Sequence, residues 1–282
     1  MANPDGSLWL ERVGESPCVM GSITPSRAAT ILASVASALH KVVNAEHPIL
    51  EGELFIDGSR FEGVMPPITM QPAFTIRKKA RVVFTIEDYV RAGILSAHQA
   101  QVLGKAIAGH KNILIAGGTG SGKTTLANAL IDQISVTTPD DRIIVIEDTY
   151  ELQCSAPNHL VLHTSQSANV QDLLRATMRL RPDRIIVGEV RGGEALGLLK
   201  AWNTGHPGGL STLHANGARE ALSRLEQLAS EATASAKHLP QLIADAVDVA
   251  VFIARATGGG RTVEAIVSVD GYAQGKYVLN PL

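Results

Sequence analysis

The chain has 282 residues, 45% of them hydrophobic and 18% charged, with a formal net charge of −2; this is the make-up of an ordinary globular protein with room for two domains. The slightly acidic balance excludes the global basic field that lets a protein hold nucleic acid regardless of sequence, and base-specific nucleic-acid binding is not expected. Cys18 and Cys154 lie far apart and outside any C-x-x-C or Cys/His cluster, which points to a reducing compartment and away from a zinc site.

The opening stretch MANPDGSLWLERVGES lacks a basic segment followed by an apolar core, so no secretory signal is expected. Within it GSLWLERV alternates as a strand should. Next, SRAATILASVASALHKVV places Ile31, Leu32, Val35, Leu39, Val42 and Val43 on one helical face, with Thr24 or Ser26 as its cap and Pro25 at its start. ILEGELFIDGSRFEGVMPP reads as a hairpin because Asp-Gly separates two alternating runs. One more strand follows in PPITMQPAFTIRKKARVVFTIEDYV. Residues 1–82 are therefore expected to form a small α+β domain, 83–92 a linker, and 93–282 a second domain. Lys78, Lys79 and Arg81 form a short basic run that reads as a soluble connector.

From there strands and helices alternate. NILIAGG, RIIVIED, HLVLHTS, RIIVGEV and GGLSTLHA are short and mostly unbroken apolar runs, as strands covered on both faces require. GKTTLANALIDQI, VQDLLRATMRL, GGEALGLLKAWNT and AREALSRLEQLA carry helical patterns between or after them. The expected fold is α/β, a doubly wound and mostly parallel sheet. The tail VDVAVFIARATGGGRTVEAIVSVDGY reads as two strands joined by a Gly-rich turn, followed by KYVLNPL. Its VDVAVFIA is the longest apolar run and falls far short of the roughly 20 residues needed to cross a bilayer.

GGTGSGKT, residues 117–124, fits G-x-x-x-x-G-K-[ST] between a strand and a helix. Gly117, Gly118, Thr119, Gly120, Ser121 and Gly122 let backbone N–H groups turn inward around phosphate oxygens, with Thr125 just beyond. Lys123 reaches the β and γ phosphates, and the Thr124 hydroxyl is placed to ligate Mg²⁺. Ligands in open α/β sheets bind beyond the carboxyl ends of the strands, where IIVIED ends on Glu147 and Asp148 and IIVGEV carries Glu189. One acid can hold the metal's water shell while another orients or deprotonates the attacking water. The plainer alternative is a set of capping carboxylates. His214 ends the strand GGLSTLHA, and a lone histidine there is more often a satisfied core residue; a phosphate site at the same sheet edge tips it toward function.

GGTGSGKTT, IEDTYEL, RPDRIIVGEVRGGEAL and GGLSTLHAN, in that order, resemble the Walker A, Asp box, Walker B and His box of the type II and type IV secretion traffic ATPases. DGSRFEGVMPP, FTIRKKA and GAREALSRLEQL narrow the resemblance to the conjugal-transfer ATPases of type IV secretion. It implies a RecA-like P-loop motor domain behind a mobile N-terminal domain, ATP and Mg²⁺ as cofactors, a hexameric ring, and docking on inner-membrane secretion components from the cytoplasmic side. It also implies residue roles. Glu147 is the catalytic base with Asp148 beside it, and Glu189 is the Walker B acid holding Mg²⁺ through water, together with Thr124. His214 and His206 sense the γ phosphate. Arg60 and Arg77, in the N-terminal domain, reach the ATP phosphates, with a solvated hairpin arginine as the plainer reading of each. Arg191 is either a ring-interface contact or an ion-pair partner. Family members usually carry more chain before the stretch matching DGSLWLERV, which leaves both a complete and a truncated N-terminal domain open. Two further readings, a RecA-like nucleic-acid motor and a nucleotide-gated assembly scaffold, stand beside the motor. The first wants a basic track with stacking aromatics, and aromatics are only 4% of the chain.

Overall fold

Apolar side chains collect into separate cores in two stretches of the chain. The computed structural model describes residues 1–12, 16–78, 83–165, 167–232, 238–256 and 260–282, and divides into compact units at Met1–Arg81 and Val82–Leu282. Lys79 and Arg81 of the basic run lie outside the described residues.

The first unit holds strands β1 (Ser7–Leu10) and β2 (Cys18–Ser22), helix α1 (Pro25–Ala38), and strands β3 (Ile49–Glu53), β4 (Arg60–Val64) and β5 (Ala73–Arg77). Thr24 caps α1 by accepting from the Arg27 amide, and Pro25 occupies its first turn. Ala28, Leu32 and Ala36 of the helix pack with Leu50, Phe61 and Phe74 of the antiparallel sheet β3-β4-β5. The helix is shorter than the apolar pattern. It stops at Ala38, His40 turns to φ 53, and Val42 is left 64% exposed. Strand β2 carries no alternation of burial, every residue being exposed, and so left no signal in the sequence.

The second unit begins with helix α2 (Ile86–Arg91), inside the stretch expected as a linker. That expectation is corrected. Thr85 and Asp88 form a reciprocal capping box, and Ile86 and Tyr89 are buried in the second unit's core, so these residues fold with it. Then come α3 (Ala97–Ala108), β6 (Ile113–Ala116), α4 (Lys123–Thr137), β7 (Ile143–Glu147), β8 (His159–His163), α5 (Val170–Thr177), β9 (Arg184–Val187), α6 (Glu194–Asn203), β10 (Leu210–Leu213), α7 (Ala218–Ser230), α8 (Leu239–Ala246), β11 (Val249–Arg255), β12 (Arg261–Ala273) and β13 (Lys276–Pro281).

The sheet order is β13-β12-β11-β6-β10-β9-β7-β8, parallel from β11 to β8 with β12 and β13 antiparallel at one edge. The α/β fold is the one the alternating strands and helices predict. Strand periodicity of two sorts the side chains between two helical layers. Leu114, Ala116, Ile144, Ile146, Ile185 and Val187 share one core with α5 to α8. Ile113, Ile115, Ile143, Val145 and Ile186 share the other with α2, α3 and α4. All eleven are 0–1% exposed, which fixes the parallel strands as a rigid plate between the layers.

One end of this plate is closed by Arg184. Its side chain is 0% exposed and donates to Asp141 Oδ2 (2.6 Å), Gly208 O (3.1 Å), Ile107 O (3.0 Å) and Thr138 Oγ1 (3.2 Å). His110 Nε2 lies 3.0 Å from the same Asp141 oxygen. Burial works to raise the Asp141 pKa, but the Arg184 bond, with Thr138 and His110, holds it below the usual aspartate value.

Candidate functional site

At the opposite, carboxyl end the strands present the phosphate-loop residues. Gly117 follows β6 directly, and a Cβ there would collide with Ile253 O and Ser121 Oγ, so only glycine fits. Gly120 (φ 68) and Gly122 (φ 96) take the left-handed backbone that turns the loop into α4. Lys123 begins that helix as a buried residue, 7% exposed, and Nζ donates to Gly117 O (3.0 Å) and Gly118 O (3.2 Å).

Register brings the other residues to the loop. Leu213 pairs with Ala116, so His214 leaves the sheet beside Gly117. Thr212 Oγ1 donates to Gly188 O and the Val190 amide to Thr212 O, which sets Glu189 next to His214. Lys123 Nζ is 3.3 Å from His214 Nδ1, and His214 Nε2 is 2.9 Å from Glu189 Oε1. That second approach is off the line of a hydrogen bond, and Glu189 Oε1 is buried with no donor. Glu189 Oε2 is the opposite case, taking Nε (2.9 Å) and a terminal nitrogen (2.6 Å) of Arg191. Arg191 is thus an ion-pair partner, the alternative the sequence left open, and it also reaches Asp148 Oδ2 at 3.8 Å. Burial pulls its pKa down, but the Glu189 bond and charge, with Asp148 and Glu151, raise it overall. His214 is shifted the other way. Burial and the Lys123 charge outweigh Glu189 and push its pKa below the ordinary histidine value, so its ring is neutral and accepts from lysine.

Glu147 and His206 take different places in this geometry. Glu147 is 4% exposed and its carboxylate is taken by its own surroundings: Oε2 accepts from the Glu151 (2.9 Å) and Leu152 (2.8 Å) amides, and Oε1 lies 3.0 Å from His163 Nε2. It pins the loop after β7, and His163 on β8 is its register partner. The placement expected for His206 is corrected. This residue precedes β10 while His214 follows it, and its Nδ1 meets Pro182 O (3.1 Å) at the amino end of the strands.

Arg60 and Arg77 belong to the first unit, as direct cross-strand partners on β4 and β5, with Glu53 opposite Arg60 on β3. A cavity of about 420 Å³ opens beside the loop, lined by Gly118, Thr119, His214, Ala215, Asn216, Glu220 and Arg224; its size is within the range of small-ligand pockets. Glu220 and Arg224 are four residues apart on α7, a spacing visible in the sequence but not read as a site. His163, the residue that claims Glu147, was likewise visible only as a strand end.

A model of the family described as "Type II/IV secretion system protein" matches residues 60–257. The chain belongs to this family. It is 51% identical to the conjugal transfer protein TrbB of Rhizobium radiobacter over 277 residues, 98% of this chain and 85% of that protein. It is 34% identical to the type IV secretion system protein PtlH of Bordetella pertussis, covering 92% of this chain and 85% of that one. Among solved structures, the VirB11 ATPase of the Brucella suis type IV secretion system, in complex with sulphate, superposes with a TM-score of 0.57 at 26% identity, over 95% of this chain and 88% of that chain. The pilus retraction motor PilT with bound ADP gives a TM-score of 0.62 over 93% and 78%, and at 23% identity it speaks for the fold alone. The residues at the site fit a divalent metal only together with phosphate. Among the described residues no group of three metal-ligating side chains exists. The buried, donorless Glu189 Oε1 beside the phosphate loop is the acceptor that a metal-bound water would use. No helix among the described residues is long and apolar enough to cross a membrane.

Proposed function

We propose that the protein is a Mg²⁺-dependent ATPase that works as a homohexameric ring and energises substrate transfer or pilus biogenesis in a conjugative type IV secretion system, docked on inner-membrane components from the cytoplasmic side. The observation that carries this reading is the convergence of Lys123, His214 and Glu189 where the phosphate loop meets the sheet. Family membership and the conjugal-transfer relative support the setting.

In this reading the amides of residues 117–125 cradle the phosphates, and Lys123 exchanges the Gly117 and Gly118 carbonyls for phosphate oxygens. Thr124 and, through water, Glu189 would hold Mg²⁺, which would supply positive charge against the phosphates. Arg191 holds the Glu189 carboxylate in place. His214, neutral and hydrogen-bonded to Lys123, loses that partner when lysine turns to phosphate, so it registers the γ phosphate by a change of neighbours. Asp148 and Glu151 face the Arg191 charge from a loop that Glu147 positions. Arg60 and Arg77 stabilise charge on the γ phosphate, a role that contributes about 10³ to 10⁵ in rate in other nucleotide hydrolases.

Lys123→Ala is expected to abolish ATP binding and turnover, and Glu189→Gln to keep binding while lowering turnover by about 10² to 10³. Titration calorimetry beside a phosphate-release assay checks both. Full turnover by Glu189→Gln would remove the acid from the mechanism. Light scattering with a non-hydrolysable ATP analogue tests the ring, and a monomer with and without it would reject the ring.

A further inference from the structure

We infer that Arg255 and Arg261 form a second cationic arm of the nucleotide site, one that grips the diphosphate end of the nucleotide on the flank away from His214 and Glu189. β11 pairs in parallel with β6, Phe252 beside Ala116, so Arg255 and the phosphate loop leave the same end of the sheet as neighbours. Arg261 opens β12 and is the direct cross-strand partner of Arg255. Both guanidiniums reach over the loop. A Cβ on Gly120 would collide with the Arg255 guanidinium, and one on Gly122 would lie 2.7 Å from Arg261 Cδ.

Their hydrogen bonding is far from complete. Arg255 Nε is 3.4 Å and an Arg261 terminal nitrogen 3.5 Å from the same Gly120 carbonyl, at the outer limit for such a bond. Arg261 Nε is buried without an acceptor. Among the described residues neither arginine has a carboxylate within ion-pair distance. Like charges directly opposite on a hairpin destabilise it, and one peptide oxygen cannot offset two cations that together offer ten N–H donors. A group with several anionic oxygens completes the arrangement, and phosphate matches the guanidinium fork.

Sheet order then assigns the end of the ligand. The loop hangs from β6, with β10 and β9 carrying His214 and Glu189 on one side and β11 and β12 carrying the arginines on the other. Residues on the first side meet the γ phosphate, so the arginines meet what ATP and ADP share. This rests on the nucleotide-site reading above.

The test is titration calorimetry of the full chain with ADP and with a non-hydrolysable ATP analogue, on wild type, Arg255→Gln, Arg261→Gln and the double variant. Each single change is expected to weaken both ligands about tenfold, leaving the ATP-to-ADP affinity ratio unchanged. The unfolding temperature without nucleotide is expected to hold or rise as the repulsion is removed, whereas arginines that merely brace the loop would lower it. Wild-type affinity for ADP in the double variant overturns the inference and leaves the ATPase reading standing; should the double variant fail to fold, Arg255→Gln, at the more exposed position, decides. Failure of wild type to bind either ligand overturns both.

Discussion

The two ends of the parallel sheet are built from similar residue types and finished in opposite ways. At the amino end a buried arginine, an aspartate and a histidine satisfy one another, with Arg184 donating to four acceptors. At the carboxyl end Glu189 Oε1, Ser121 Oγ and Arg261 Nε are buried with no hydrogen-bond partner, His214 Nε2 approaching Glu189 Oε1 only off line. Satisfied polar groups hold a fold together, whereas unsatisfied ones mark where a ligand supplies the missing bonds. The same strands therefore have one end for stability and one for chemistry.

Substitutions can break that division. Arg184→Leu is expected to have the largest effect, destabilising by about 3–5 kcal/mol because Asp141 and three further acceptors lose their donor. Urea unfolding measures it, and nucleotide affinity of the molecules that remain folded should be unchanged. Glu147→Ala comes next, at about 1–3 kcal/mol, from the Leu152 amide left without its carboxylate, the Glu151 amide reduced to Thr149 O, and the lost contact with His163. Undiminished stability with turnover lost would support Glu147 as the catalytic base.

Acid should separate the two ends without mutation. Since the folded pKa of His214 lies below its unfolded value, the unfolded chain takes the proton first; this group's contribution is complete above about pH 6.5 and declines as pH falls from there. Asp141 is also depressed, so the amino end keeps its contribution until pH falls below about 3.9. Unfolding temperature against pH in wild type and His214→Gln should differ in slope only in the upper window. The smallest effect belongs to His206→Ala, for which nucleotide affinity within twofold of wild type is expected by calorimetry; a larger loss would place that ring at a phosphate after all.

The fold was readable because each parallel strand is a β-branched run covered on both faces, and RIIV or NILI allows few alternatives. The phosphate loop was readable because its glycines are demanded by backbone shape. Contacts set by register were not. Glu147 stands at the end of a strand as Glu189 stands just past one, yet Glu147 is claimed by His163 across the β7–β8 pair, a neighbour that no local spacing announces. His206 and His214 are eight residues apart in the sequence, and the strand between them sends them to opposite edges. Arg255 and Arg261 flank a Gly-rich stretch of sequence far downstream, and only the β11–β6 pairing brings them to the loop.

Because the Lys123 ammonium already rests on the carbonyls of its own loop, the cradle keeps its shape before any guest arrives. Capture then needs a swap of partners by one flexible side chain, with no folding of backbone, and the rate of association should follow diffusion and charge more than any slow rearrangement.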